Sequence, residues 1–201
     1  MPRRKAALPG LLGFALLFVS SPGHSQTAIS VYGAWHCGSD YCTWGSVRDM
    51  TDFDQKNHWL IDRGDGSKLP SVNLVVLSFV HPLKLLNKTT DSATLNGISR
   101  GMTQDVVDYF KNKSIRVMLS MGGITYVSAW NTALATNATQ LGRNAAEAAH
   151  RMGVGIEIDY EENRNPNLTG LQAFIDAYRS YIDPVTGRDT QYDSTDRKSV
   201  V

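Results

Sequence analysis

Three segments of this 201-residue chain read as strands, two of them buried on both faces, and they limit its fold more than any other feature. Val72 to Val80 and Ile115 to Met121 are dominated by apolar and β-branched residues, the mark of strands covered on both faces. Val154 to Tyr160 differs, because carboxylates alternate with its apolar residues. Ile29 to Trp35 reads as an earlier strand, followed by a long loop through Gly66 with only a faint helical pattern within Val47 to Leu60. Helical periodicity fills the gaps. Leu95 to Asn112 repeats Ile98, Met102, Val106 and Phe110 every four residues. Trp130 to Met152 carries a stripe of Leu134, Leu141, Ala145, Ala148 and Met152. Leu168 to Ile182 uses Leu171, Phe174, Ile175, Tyr178 and Ile182, and Pro184 stops it.

Alternating strands and helices predict an α/β fold with a parallel sheet and right-handed crossovers. A closed eight-stranded barrel takes about 250 residues, whereas four units here occupy about 170. The expectation is therefore the first half of a (β/α)8 TIM barrel, with four parallel strands and their helices, truncated. An open doubly wound sheet is the alternative, but the Gly-rich phosphate turn that normally follows its first strand is missing. A half-barrel leaves two unpaired strand edges and a core without its opposite wall, so the chain as written is expected to fold poorly by itself.

Within Val154 to Glu161, the acids Glu157, Asp159 and Glu161 fall at every second residue. In an extended strand such residues share one face, about 6.6 Å apart along the chain. Like charges raise one another's pKa, so the row is costly unless one carboxyl keeps its proton. A carboxyl protonated near neutral pH is what a general acid requires. An acidic solvent face on a half-exposed strand is the plainer reading. The neighbouring strands, covered on both faces, argue instead for a cavity at a strand end.

The chain ends are set apart from the fold. Arg3, Arg4 and Lys5, the apolar run Leu11 to Val19, and the small residues Gly23 and Ser25 read as a secretory signal over residues 1–25. Secretion, extracellular or periplasmic, is the expected localisation, with no membrane association after signal removal. A net charge of +1 with 19% charged residues gives no case for nucleic acid. Cys37 and Cys42 lie close together and, once exported, are expected to form a local disulfide; no histidine pattern suggests zinc. Asn87, Asn112, Asn137 and Asn167 each begin an N-x-Ser/Thr triplet. The tail Asp196 to Val201 matches the translation of a widely used sequencing adapter, so residues 26–195 are expected to be a partial domain of a longer protein.

Two motifs carry a family resemblance. Ser120-Met121-Gly122-Gly123 matches S-x-G-G at the end of the third strand, and Gly155-Ile156-Glu157-Ile158-Asp159-Tyr160-Glu161 looks like D-G-x-D-x-D-x-E at the end of the fourth. Together they resemble glycoside hydrolase family 18, the chitinases and endo-β-N-acetylglucosaminidases, over Ile29 to Ile182. The resemblance implies hydrolysis of β-1,4 bonds beside N-acetylglucosamine, in chitin or related glycans, with retention and without metal or cofactor. Glu161 is then the acid that protonates the glycosidic oxygen. Asp159 holds the substrate's 2-acetamido group, whose carbonyl oxygen attacks the anomeric carbon. Glu157 shares a proton with Asp159. The complete protein is expected to be a monomer.

Two positions depart from the motif. Val154 stands where its first Asp belongs, on the parity of the outward face, and Glu157 replaces its second Asp. These departures keep open a non-catalytic, lectin-like chitin-binding protein as the alternative. Tyr32, Trp35, Gly122, Gly123 and Tyr160 are candidate sugar contacts. The glycines serve equally as a tight turn, and Trp35 equally as core. Trp44, Trp59 and Trp130 read as packing residues. Ser78-Phe79 resembles the second-strand position where the family often has a strained peptide, and ranks no higher than ordinary core. His81 reads as a satisfied loop histidine.

Overall fold

The computed structural model describes residues 44–182 and 184, and the backbone of residues 31–33. The signal segment, Trp35, Cys37, Cys42 and the 196–201 tail lie outside the described residues, and Tyr32 is described in its backbone alone. In chain order the elements are β1 (Val31–Gly33), α1 (Met50–Ile61), β2 (Leu74–Val80), α2 (Pro82–Leu86), β3 (Thr94–Leu95) and β4 (Ile98–Ser99). They continue with α3 (Gln104–Lys111), β5 (Arg116–Gly122), α4 (Val127–Met152), β6 (Gly155–Asp159) and α5 (Leu168–Arg179). A 3-10 turn over Ile124–Tyr126 leads into α4.

The fold is α/β. One sheet runs in the order β1-β2-β5-β6, every pairing parallel. The order follows the chain without reversal, so each crossover steps the same way. Val75, Leu77, Val117, Leu119, Met121 and Ile156 pack with Leu60, Phe110, Trp130, Leu141 and Phe174 into one core. These strand residues share one parity and meet the helices. Val76 and Met118 have the opposite parity; they are buried too, yet stand outside that cluster. Both faces of β2 and β5 are thus covered, as their near-continuous apolar runs require.

The expected helix over Leu95 to Asn112 is corrected by the structure. Its first half is a hairpin, β3 paired antiparallel with β4 across Asn96 and Gly97, and only Gln104–Lys111 is helical. Asn96 and Gly97 have φ of 52° and 84°, the pair of positive values that a tight hairpin turn needs. A Cβ at position 97 would lie 2.3 Å from the Leu85 backbone nitrogen. Ile98 and Met102 are buried as their spacing suggested, but through the hairpin and its exit. The short α2 had no counterpart in the periodicity. Pro82 sits in its first turn, and His81 caps it by accepting from the Lys84 N–H at 3.3 Å.

The alanine-rich helix is present from Val127 to Met152, with its predicted stripe buried, but it breaks at Asn137 (φ −164°, ψ 78°). The Asn137 side chain accepts from the Gln140 N–H at 3.0 Å, capping the second segment. Among the described residues no helix is long and apolar enough to cross a membrane.

Candidate active site

The C-terminal ends of β2, β5 and β6 gather the polar residues of the sheet. Register places Ser78 beside Ser120 and Ser120 beside Glu157, with Gly122 beside Asp159 one step further. All of these have the parity of Val76 and Met118, away from the helices. Both serines are buried, and neither hydroxyl has a hydrogen-bond partner among the described residues. Glu157 and Asp159 are half-buried, and Glu161, two residues past the strand, is exposed. Parallel strands lie about 4.8 Å apart, so this is a compact polar strip on an otherwise apolar face.

The acids act on one another. Asp159 is raised from its ordinary 3.8 to about 6, chiefly by burial. The charges of Glu157 and Glu161 add to this, as does a hydrogen bond with Glu161 that needs the Asp159 proton. The three candidate acids therefore form one interacting group. Val154 takes the opposite side, packed partly buried against the helical core, as its parity indicated.

Tyr160 is not brought to this group. Its ring lies 5.5 Å from that of Trp130. Its hydroxyl donates to Asn131 Oδ1 at 2.5 Å and accepts from the Asn167 N–H at 3.0 Å. The alternation that aims Asp159 away from the helices aims Tyr160 into them, so this candidate sugar contact is a packing and anchoring residue. The other Asn131 bond goes to a residue that the motif did not include. Asn131 Nδ2 donates to Glu162 Oε2 at 3.0 Å, while Glu162 Oε1 accepts from the N–H groups of Arg164 (2.8 Å) and Asn165 (3.3 Å).

The two motif glycines serve the protein's own backbone. Gly122 has φ 124°, and a Cβ there would lie 2.1 Å from the Asp159 carbonyl oxygen and 2.3 Å from Trp130 Nε1. The Gly123 N–H donates to that same carbonyl at 2.9 Å, and a Cβ on Gly123 would press 3.0 Å from the Phe79 ring. What approaches these glycines is the exit of β6. Trp130, fully buried, donates through Nε1 to the Met121 carbonyl at 3.1 Å and so bolts the start of α4 to the end of β5.

Trp44 is buried beside Phe53, whereas Trp59, also read as packing, is 50% exposed. The Ser78-Phe79 peptide is cis, and the β2/β5 register shifts between Ser78 and Val80. His81 is a helix cap set 4.7 Å from the Tyr126 ring, and burial holds its pKa below the usual histidine value. Asn131 and Glu162 are the site-organising residues that sequence reasoning passed over. Neither belongs to a motif, and their pairing exists only once α4 meets the end of β6. No family model, curated protein or solved structure matches the chain.

Proposed function

We propose that this chain is a secreted glycoside hydrolase acting on β-1,4-linked N-acetylglucosamine polymers by substrate-assisted, retaining hydrolysis. Its sheet is read as the first half of a (β/α)8 barrel, and the consecutive parallel strand order supports that reading. The observation that carries the function is the coupled acid row at the sheet's C-terminal end. Burial and two neighbouring acids raise Asp159 to about 6, in hydrogen-bond contact with an exposed Glu161.

Each residue then has a task. Glu161, open to solvent, is placed to give a proton to the glycosidic oxygen of an incoming glycan. Protonated Asp159 donates to Glu161 in the resting site. Turned toward substrate, it orients the acetamide whose carbonyl oxygen attacks the anomeric carbon, and its carboxylate offsets the positive charge of the ring that forms. The proton that Asp159 gives up on ionising passes to Glu161, which delivers it to the glycosidic oxygen, while Glu157 is the support that shares a proton with Asp159 in the resting site. Water then opens the cyclic intermediate, with Glu161 as the base.

The half-barrel as written is expected to be inactive, so the test is hydrolysis of a chromogenic chitobioside by the protein with its full reading frame restored, as wild type and as Glu161→Gln. The expected result is a loss of about 100-fold or more in kcat for the variant, with binding to chitin retained. Chitin binding without turnover in the wild type favours the lectin-like reading. Turnover that survives Glu161→Gln removes the acid assignment.

A further inference from the structure

Asn131 stands in the first turn of α4, next to Trp130, and holds both chain neighbours of Glu161. Its Oδ1 accepts from the Tyr160 hydroxyl, and its Nδ2 donates to Glu162 Oε2 at 3.0 Å. In extended chain, residues one apart in number point to opposite sides. Pulling Tyr160 and Glu162 toward α4 therefore turns Glu161 the other way, to the side of Asp159, with which it shares a hydrogen bond. The clamp has a fixed base. Trp130 Nε1 binds the Met121 carbonyl, and the Gly123 N–H binds the Asp159 carbonyl, so α4, β5 and β6 meet within a few residues. Its outer side is fixed as well: Asn167 donates its N–H to the Tyr160 oxygen, and the N–H groups of Arg164 and Asn165 close onto Glu162.

We infer that Asn131 is a positioning residue: through Tyr160 and Glu162 it sets the direction in which Glu161 leaves the strand and keeps its carboxyl on Asp159. The inference deepens the glycosidase reading and rests on it for its catalytic consequence, though not for its geometry. An amide is the only side chain of this length that accepts at one atom and donates at another without carrying charge. Aspartate at this position keeps the acceptor for Tyr160 but sets a carboxylate against Glu162, which is itself held ionised below the usual carboxylate range by the Arg164 N–H and the Asn131 amide. Adding Glu162→Gln returns a donor to that contact with its direction reversed.

Two readouts on the full chain test the clamp. The first is ¹³C carboxyl NMR titration of Asp159. The wild type is expected to titrate near its raised value of about 6. In Asn131→Ala, Glu161 swings free and the midpoint falls toward the ordinary 3.8, with the rest of the spectrum preserved. Asn131→Asp is expected to do the same, and Asn131→Asp with Glu162→Gln to restore the wild-type midpoint. The second is chitobioside kinetics with the full reading frame restored, where the single variants lose about 10- to 100-fold in kcat with KM nearly unchanged and the double variant recovers most of it. If Asn131→Ala does not fold, Tyr160→Phe and Glu162→Gln each cut one arm and are expected to move the midpoint part of the way. An unchanged Asp159 titration in every folded variant overturns the inference, whatever happens to melting temperature. A wild type that shows no turnover removes the glycosidase reading alone, because the titration still decides the clamp.

Discussion

At the scale of single residues, the site rests on where a side chain is absent as much as on where one stands. Gly122 lets the end of β5 lie against both the Asp159 carbonyl and the Trp130 indole, in a conformation (φ 124°) that side chains rarely adopt. Alanine there puts a methyl 2.1 Å from a carbonyl oxygen and 2.3 Å from an indole nitrogen, neither of which is the loose end of a flexible chain. Gly122→Ala is therefore expected to destabilise the fold by about 3 kcal/mol or more, combining backbone strain with overpacking. Urea unfolding monitored by tryptophan fluorescence measures it; a loss within about 0.5 kcal/mol, the range of an ordinary surface change, contradicts the packing described. The same contact lets the end of β5 lie against the exit of β6, the segment that carries the acids.

Among the elements, α4 does most to join the parts. Its first turn holds the ends of β5 and β6 through Trp130 and Asn131, and its later turns hold α2. Asn144, 4% exposed, donates through Nδ2 to the carbonyls of Leu85 (3.0 Å) and Leu86 (2.9 Å), the last residues of α2, while its Oδ1 accepts from Gln140 at 2.8 Å. Helix C-termini leave carbonyls without internal partners, and a buried end needs them supplied from outside. Removing the amide takes the Asn144 donor from the buried Leu86 carbonyl, while the Leu85 carbonyl keeps the Lys88 N–H. Asn144→Ala is expected to cost about 2 kcal/mol, and Asn144→Asp about as much, because it has no donor at all. Chemical denaturation of both variants checks this, and a wild-type midpoint for either is inconsistent with the bond. Asn137 is the opposite case. It is exposed, interrupts the helix and caps the segment beyond it, so α4 is two segments joined at a polar residue.

For the molecule as a whole, the acid row opposes folding as pH rises. Asp159 holds its proton to about 6 in the folded chain against an ordinary 3.8, so the folded state binds that proton more tightly than the unfolded one. Its contribution is fully present below about pH 4 and is lost as pH climbs through about 6. Other acids run the other way. Asp91, held well below the carboxylate range by Lys84 and the Thr94 N–H, and Asp54, lowered by His58 and Tyr109, lose stabilisation only as the solution becomes acid. The comparison that isolates the row is wild type against Asp159→Asn. Relative to wild type, the variant is expected to gain about 1–2 kcal/mol between pH 4 and pH 7, the exposure of the site screening part of the full shift. Unfolding free energies at a series of pH values measure the difference, and a flat difference shows that Asp159 titrates normally.

Apolar patterning alone determined the α/β class, the three strands after the first and most of the buried stripes, because burial gives covered strands continuous apolar runs and helices a four-residue repeat; Ile182, read as the end of one stripe, instead lies past α5 and is 63% exposed. Patterning also set the acids on one side of β6 and Val154 on the other. It failed over Leu95 to Asn112, where Ile98 and Met102 satisfied a helical spacing while Asn96 and Gly97, a turn pair, folded the chain back on itself. Local turn chemistry outweighed a repeat that the core needed only as burial. Tertiary structure alone decided the fate of Tyr160, the purpose of Gly122 and Gly123, and the pairing of Asn131 with Glu162. Each depends on a neighbour some 29 to 44 positions distant in the chain, Tyr160 with Asn131 marking the near end and Gly123 with Phe79 the far one. No local pattern encodes such contacts, because they form only when β2, β5, α4 and β6 are brought side by side.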